Sequence, residues 1–272
     1  MDRLELYHKI QLPENAIARL LEVRREIPTD VLEKFSVLLC SPADYAHAEQ
    51  DLKTILSPDP DGFKILFVML ESALISYRKY QQRGISEEIY LATMKGFTRV
   101  LHENFAAFHK LTFDRSWWMG RLLSLVLFRI GELEYELFFE TGTPMISMHI
   151  PSDAKLAQTD ESIAKSRKFF KTFFPDYENA PYFCQSWLMS PAIPKLLDQS
   201  SRLLGFWKKF EITDFQPEDE SYKWWVFQSY TMNPEDFSEK TSLQRAIKQY
   251  VLSGEKIGEA KGILKINSKE RG

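Results

Sequence analysis

Three side chains that can act as a nucleophile or transfer a proton lie in the second half of the chain: His149, Cys184 and Ser186. An unperturbed imidazole titrates near pH ~6.5, so His149 is a candidate base or proton relay. The thiol of Cys184 becomes a nucleophile only as a thiolate. A hydroxyl such as that of Ser186 can give a proton to a leaving group. The simpler alternatives are an imidazole fixed by a strand-end hydrogen bond and a buried structural thiol, because the residues flanking Cys184 are aromatic and none is cationic.

An anion site is predicted where an apolar segment at residues 145–150 is followed by a loop and by a helix that starts near residues 159–162. Free N–H groups and the helix dipole favour anions at a helix start, and Lys155 adds positive charge. The alternative is an ordinary capped helix, because the acidic residues around this start cap well without a ligand. Arg245 stands in the first turn of another predicted helix, where it opposes the dipole. Arg245 therefore either contacts an anion or a carboxylate, or it is an ordinary surface arginine.

Acidic and aromatic side chains add two further candidates. Glu132, Glu134 and Glu136 fall on one face of a predicted strand. They could attract a cationic acceptor and supply a base, or they could form a solvated strand face. A set of rings on two later predicted strands could line an acyl groove or pack as core: Phe206, Trp207, Phe210, Trp224, Trp225, Phe227 and Tyr230.

The first half of the chain has the apolar spacing and end signals of helices. We expect helices over residues 14–26, from residue 31, over 42–56, 63–83 and 86–109, and from residue 114. Pro58, Pro60 and Gly62 mark a loop before the long apolar helix.

From residue 131 the period changes to two, which is typical of strands. The expected order is a hairpin of residues 133–139 and 145–150, a helix over 160–173, a strand over 182–188, a helix opened by Ser190 and Pro191, strands over 203–212 and 222–230, a helix over 241–253, and a strand over 262–266. The polar tail at residues 267–272 is expected to fray.

Composition narrows the function classes. The chain has 272 residues, 44% of them hydrophobic, and a net charge of −3, so it can bury a core and shows no basic bias towards nucleic acid or an anionic membrane. Its two cysteines form no CxxC pair, which argues against a disulfide framework or a zinc site. An acidic N-terminus and the lack of a spanning apolar stretch predict a cytoplasmic protein. No metal-ligand motif is present.

Several separate sequence blocks, in the right order, carry a resemblance to a known family. The chain resembles a bacterial family of acyltransferases with an N-terminal helical domain and a GNAT-like C-terminal domain. The blocks are residues 149–154, Ser162 with Arg167 and residues 169–175, residues 184–191, residues 206–211, residues 241–246 with Gly254, and, less strongly, residues 114–118 with 129–131.

The resemblance implies an α+β fold, with a helical domain at residues 1–128 and a GNAT-like mixed-sheet domain at residues 129–272. It implies acetyl-CoA or another acyl-CoA as donor and a small-molecule, amine-like acceptor. The pantetheine arm would lie between the strands at 145–150 and 182–188. The candidate cofactor contacts are Ile150, Ser152, Lys155, Ser162 and Arg245.

The sequence departs from the GNAT pattern in one place, because the loop at residues 151–156 lacks the glycines of the usual phosphate loop. A non-catalytic binding module on a GNAT-like scaffold that has lost CoA binding is therefore the first alternative. A hydrolase that uses Cys184 and His149 is the second.

Overall fold

The computed structural model describes residues 1–265, and it divides the chain into two compact units. The first unit comprises Met1–Ile130 with Glu134–Glu136, and the second comprises Gly131–Leu133 and the chain from Leu137 onward. Within the described residues, no helix is long and apolar enough to cross a membrane.

Seven α-helices build the first unit, which confirms the predicted helical half. They are α1 (Arg3–Lys9), α2 (Glu14–Val23), α3 (Thr29–Leu38), α4 (Tyr45–Ile55), α5 (Phe63–Gln82), α6 (Glu87–Phe108) and α7 (Ser116–Leu123). The longest two, α5 and α6, bring Tyr80 and Tyr90 into an edge-to-face contact with ring centroids 5.2 Å apart. Ser86 caps α6 by accepting a hydrogen bond from the backbone N–H of Ile89.

Two glutamates of the predicted acidic strand face, Glu134 and Glu136, are neither solvated nor free to bind an acceptor. Glu134 is buried, and its carboxylate accepts a hydrogen bond from Arg99 of α6 at 2.6 Å. Glu136 is bound by Arg121 of α7 at 2.8 Å. Both interpretations of this face were therefore wrong for Glu134 and Glu136, because the helices of the same unit supply arginines that a strand pattern cannot reveal.

Six strands form one mixed sheet, as predicted for the fold class. They are β1 (Leu127–Ile130), β2 (Leu133–Glu140), β3 (Thr143–His149), β4 (Tyr182–Ser186), β5 (Phe210–Gln216) and β6 (Glu259–Leu264), in the order β1-β2-β3-β4-β6-β5. β3 and β4 are parallel, and β6 runs antiparallel to both β4 and β5. Gly131 occupies the turn between β1 and β2 with a φ of +64°.

Among the described residues, the second unit has five further α-helices: α8 (Thr159–Phe173), α9 (Ile193–Leu196), α10 (Arg202–Trp207), α11 (Ser221–Phe227) and α12 (Ser242–Leu252). Thr241 caps α12 through a capping box with Gln244, as the sequence indicates. Of the predicted last strand, Ile266 lies outside the described residues, as does the tail whose fraying was expected.

The two predicted late strands were wrong for most of their length. Residues 202–207 and 221–227 are the helices α10 and α11, and only Phe210–Gln216 is a strand. In α11, Tyr222 and Phe227 are buried while Trp225 is 56% exposed, a pattern that strand alternation cannot produce. Aromatic residues favour strands only where a sheet offers them a packing surface, and here the partners are α9, α12 and the ring of Phe237. The rings therefore do not line a groove on paired strands.

Candidate active site

The central feature of the second unit is the short pairing between its parallel strands β3 and β4. Within residues 1–265, the register joins Ile146 to Tyr182 and Ser147 to Phe183, and the N–H of Ile146 donates to the carbonyl of Pro181 at 3.0 Å. Beyond these pairs β3 runs on to His149 and β4 runs on to Ser186. The two strands therefore stop pairing before either of them ends.

Backbone alternation determines which groups border this gap. In a parallel ladder every second residue directs both its N–H and its C=O to the same neighbouring strand. Since Ile146 bonds to Pro181, Met148 on β3 and Gln185 on β4 are the next residues to direct their backbone groups between the strands. An extended chain with amide groups can hydrogen-bond there.

Side chains on the two faces of the sheet have different surroundings. Tyr182 points to the face that α8 covers, because its hydroxyl lies 3.1 Å from that of Ser166. By alternation Cys184 and Ser186 share this covered face, whereas Phe183 and Gln185 point to the opposite one. Ser147 is level with Phe183, so His149 also belongs to the opposite face. The structure therefore does not bring the three predicted catalytic side chains together.

The thiol of Cys184 is held in its neutral form. Its side chain is 1% exposed, and burial raises its pKa to about 12, with a smaller contribution from Glu259. A thiol with such a pKa is almost wholly protonated near neutral pH, so it is a poor nucleophile. This surrounding, together with the position of His149 on the other face, argues against the hydrolase alternative.

We expect Cys184→Ala to keep the activity of the protein within about twofold of the native value, because a buried neutral thiol is a poor nucleophile. Iodoacetamide should leave Cys184 unlabelled in the folded protein and label it in denaturant. Mass spectrometry after labelling checks the second point. A thioester trapped on Cys184, with activity lost in the variant, would instead establish the hydrolase.

The two serines near the end of β4 have local structural bonds. The Ser186 hydroxyl oxygen accepts a hydrogen bond from the N–H of Leu188 at 3.2 Å, which leaves its own proton available for donation. Ser190 is fully buried and accepts from the N–H of Ala192 at 3.1 Å while donating to the carbonyl of Ile257. Ser190 thus stabilises this turn, but the helix that we expected it to open begins only at Ile193, with Ala192 in the cap position.

The segment after β3 brings four of the predicted cofactor contacts into one stretch of chain. Ile150 follows β3 directly and is half-buried, whereas Ser152 and Lys155 are exposed. The Lys155 backbone N–H donates to a Glu132 carboxylate oxygen at 2.8 Å. Ser162 is buried in the first turn of α8, and its hydroxyl oxygen accepts from the N–H of Leu133 at 3.2 Å.

The start of α8 carries no side-chain cap. Gln158 occupies the cap position without a hydrogen bond from its side chain to the helix. The acidic residues that could compete for an anion site are paired elsewhere, Asp160 with Lys209 and Glu161 with Lys165. The first N–H groups of a 15-residue helix are therefore left without a protein side-chain cap.

Arg245 has a different setting from the other predicted contacts. It is exposed on α12, and its guanidinium donates to the backbone carbonyl of Glu239 at 2.7 Å. This bond places Arg245 in the local structure before α12, whereas the other four predicted contacts belong to the segment between β3 and α8.

Two polar residues beside the gap escaped the sequence analysis. The side-chain amide of Gln185 donates to a carboxylate oxygen of Glu259 at 2.8 Å. The pKa of Glu259 lies above its usual value, and burial is the main cause. The hydrogen bond from Gln185 opposes this rise in pKa, and the charge of Asp219 adds to it. The alternation of Glu259 and Lys261 with apolar neighbours is a strand signal, but the predicted strand started three residues too late to include Glu259.

Family models match almost the whole chain. Residues 1–125 match the N-acyltransferase N-terminal domain, and residues 127–264 match the GNAT-like C-terminal domain. No curated protein matches the chain.

Solved structures of similar fold include an acyltransferase in complex with decanoyl-CoA and teicoplanin. It is 20% identical, the match covers 97% of this chain and 87% of that one, and the TM-score is 0.80. An acyltransferase in complex with CoA and 10C-teicoplanin is also 20% identical, over 98% of this chain and 100% of that one, with a TM-score of 0.71. A mutant acyltransferase in complex with octanoyl-CoA matches with a TM-score of 0.80 at 20% identity, over 97% of this chain and 87% of that one.

At about 20% identity, the solved structures show that the fold is similar. The two family models show the family to which the chain belongs. The helical first half and the mixed sheet of the second half agree with the order of these two domains. The chain belongs to the family of acyltransferases that combine an N-acyltransferase N-terminal domain with a GNAT-like C-terminal domain.

Proposed function

We propose that this protein is an acyl-CoA-dependent N-acyltransferase that acts on a small-molecule amine. The observation that carries the proposal is the ladder between β3 and β4, which ends after Ser147 and Phe183 although both strands continue. Pantetheine is an extended arm with two amide groups. It fits a gap bordered by the backbone N–H and C=O groups of Met148 and Gln185.

The uncapped start of α8 supports the placement of the phosphate end of the cofactor. A pyrophosphate there would gain from the helix dipole and lie near backbone N–H groups that no side chain caps, so a glycine-rich loop is not indispensable. Lys155, exposed in the preceding loop, would add a positive charge, and Ile150 and Ser152 would border the path from the gap to the helix. The similar structures are complexes with decanoyl-CoA, octanoyl-CoA or CoA, which supports an acyl-CoA as the co-substrate.

The reaction proposed is direct transfer. The neutral amine attacks the thioester carbonyl, a C–N bond forms, the C–S bond breaks, and the thiolate takes up a proton to leave as CoA thiol. His149 faces the gap on the side opposite α8 and is our candidate for relaying a proton there. Ser186 lies at the end of β4 with its hydroxyl proton available, on the covered face. Cys184 has no role in this scheme.

The proposal is tested by adding octanoyl-CoA to the purified protein and measuring its thermal unfolding. CoA thiol release is then followed with tyramine and with glucosamine as acceptors. We expect a rise in the unfolding temperature with octanoyl-CoA and amine-dependent release of thiol. A protein that shows no shift at millimolar octanoyl-CoA would be the non-catalytic binding module, and one that binds but acylates neither amine would not be an N-acyltransferase.

A cap placed at the start of α8 should separate cofactor binding from stability. We expect Gln158→Asp to raise the free energy of unfolding by about 1 kcal/mol, because a carboxylate at the start of a helix interacts favourably with the helix dipole. The same carboxylate would repel a pyrophosphate, so the dissociation constant for octanoyl-CoA should rise about tenfold or more. Calorimetric titration and urea unfolding measure the two effects.

Gln158→Ala is the matched control, since it removes the side chain without adding charge, and it should change the affinity little. If Gln158→Asp bound octanoyl-CoA as tightly as the native protein, the phosphate would not lie at this helix start.

A further inference from the structure

The pair formed by Gln185 and Glu259 is well placed for a second role in the proposed reaction. We propose that Glu259 accepts the proton that an acceptor ammonium must lose before it attacks, and that Gln185 positions the Glu259 carboxyl. This inference rests on the proposed acyl transfer and assigns the group that prepares the acceptor.

The geometry links Glu259 directly to the gap. Gln185 is the β4 residue whose backbone groups are directed between the separated strands, and its side-chain amide holds Glu259 at 2.8 Å. β6 pairs with β4 over Ser186 and Ala260, so Glu259 lies one residue beyond the level at which β4 ends. A carboxyl at this point is one hydrogen bond away from the residue that would hold the pantetheine.

The face of the sheet decides which substrate Glu259 could meet. Gln185 points away from the face that α8 covers, and Glu259 bonds to its side chain, so Glu259 is on that same opposite side. The proposed phosphate site belongs to the start of α8. An acceptor that reaches the thioester from the side opposite α8 would therefore pass the Glu259 carboxyl.

The neighbouring groups favour a cationic, ring-bearing acceptor. Phe138 and Phe183 form an edge-to-face pair, with centroids 5.3 Å apart, on the same side of the sheet. The ammonium of Lys261 lies 4.7 Å from the centre of the Phe183 ring and is bound by Glu140, so Glu259 has no cation in a salt bridge with it among the described residues. A substrate ammonium would supply one.

The polar and titratable groups around Glu259 come from β4, β5, β6 and the chain after β5. Gln185 contacts it from β4, Lys261 follows it on β6, and Asp219 acts on it from the chain after β5. β5 places Gln216 opposite Glu259 and Asp214 opposite Lys261. His149 ends β3 on the same sheet face. Burial and Asp219 favour the protonated carboxyl, which makes Glu259 a stronger base than an ordinary surface glutamate.

The proton balance of the step is simple. The acceptor ammonium gives one proton to the Glu259 carboxylate and becomes the neutral amine. When the amine attacks, the C–N bond forms and the C–S bond breaks, and the second nitrogen proton goes to the thiolate. Glu259 then returns its proton to solvent, and the products are the amide and CoA thiol.

Glu259→Gln is the direct test, with octanoyl-CoA as donor and tyramine as acceptor. We expect kcat/KM to fall about 100-fold, because a positioned base contributes two to four orders of magnitude. With hydroxylamine, which is already neutral at neutral pH and needs no base, the variant should approach the native rate. Glu211→Gln removes an exposed carboxyl from the neighbouring strand β5 and should change neither rate.

The pH profile of Gln185→Ala gives a second readout that a purely structural role would not produce. Native kcat/KM should fall as the pH drops through the raised pKa of Glu259, because the carboxylate is lost. The hydrogen bond from Gln185 lowers that pKa, so its removal should move the fall in activity to higher pH.

Two outcomes would overturn the assignment of Glu259: tyramine acylation by Glu259→Gln at the native rate, or an equal loss with tyramine and hydroxylamine. Octanoyl-CoA binding is measured on each variant by calorimetry. If the native protein itself did not bind octanoyl-CoA, the proposed acyl transfer would be wrong. If instead Glu259→Gln bound octanoyl-CoA and acylated tyramine at the native rate, only the role of Glu259 would be wrong.

Discussion

Gly62→Ala should destabilise the first unit by about 4 kcal/mol or prevent its folding. Gly62 precedes α5 with a φ of +73°, a backbone conformation that side-chain-bearing residues rarely adopt. A Cβ added there would lie 1.9 Å from the backbone oxygen of Phe113, a separation that no rotamer change can relieve. The N–H of Phe113 is itself bonded to the carbonyl of Asp61 at 2.9 Å, so the two segments are held together.

The matched control for Gly62→Ala is Gly254→Ala. Gly254 has a φ of +87°, and an added Cβ would meet nothing within 4 Å. It should cost only the backbone strain of about 1 kcal/mol. Urea unfolding of both variants measures the difference, which isolates the contact with Phe113. Equal losses of stability in the two variants would contradict the predicted clash.

Glu134→Ala should lower the free energy of unfolding by about 3 kcal/mol, because it leaves the guanidinium of Arg99 buried without its main partner. The Glu134 side chain is 3% exposed and that of Arg99 is 14% exposed, and their atoms are 2.6 Å apart. The carboxylate of Glu103, 3.7 Å from Arg99, offers partial compensation and keeps the loss at the lower end for a buried pair.

Two further variants show what causes the loss of stability in Glu134→Ala. Glu136→Ala breaks the more exposed pair with Arg121 and should cost about 1 kcal/mol. Combining Glu134→Leu with Arg99→Met replaces the buried charges by apolar side chains of similar size, and stability should return to within about 1 kcal/mol of the native protein. If the double variant did not recover the native stability, the ion pair itself would stabilise the unit. The loss in Glu134→Ala would then not come from the charge left on Arg99 alone.

Local sequence signals were sufficient for much of the fold. Ser86 before Glu87, and Thr241 with Gln244 three residues later, predict helix starts because the capping bonds involve residues within one turn. The hairpin of β2 and β3 follows from period-two alternation around a Thr-Gly turn.

Local sequence signals failed where the structure of a segment depends on distant residues that pack against it. The aromatic residues of α10 and α11 predict strands, yet they are helical because their rings pack against α9, α12 and Phe237. The charge of Glu134 predicts a solvated position, yet Arg99 of α6 compensates it in the interior.

The candidate site was foreseen in part. The order of blocks from His149 to Gly254 led to an acyltransferase scaffold and to a cofactor path between the third and fourth strands. No local pattern could reveal that His149 and Cys184 point to opposite faces, or that Arg245 is bonded to the carbonyl of Glu239. Side-chain direction follows from register and from what covers each face.

By itself, the sequence determined the helical first half, the α+β second half and the family, because these depend on periodicity and short-range order. Only the tertiary structure decided where the ladder of β3 and β4 ends, that the start of α8 is left uncapped, and that Glu259 meets Gln185. These features join residues as far apart as 185 and 259, and chain separation of that length leaves no local pattern to reveal them.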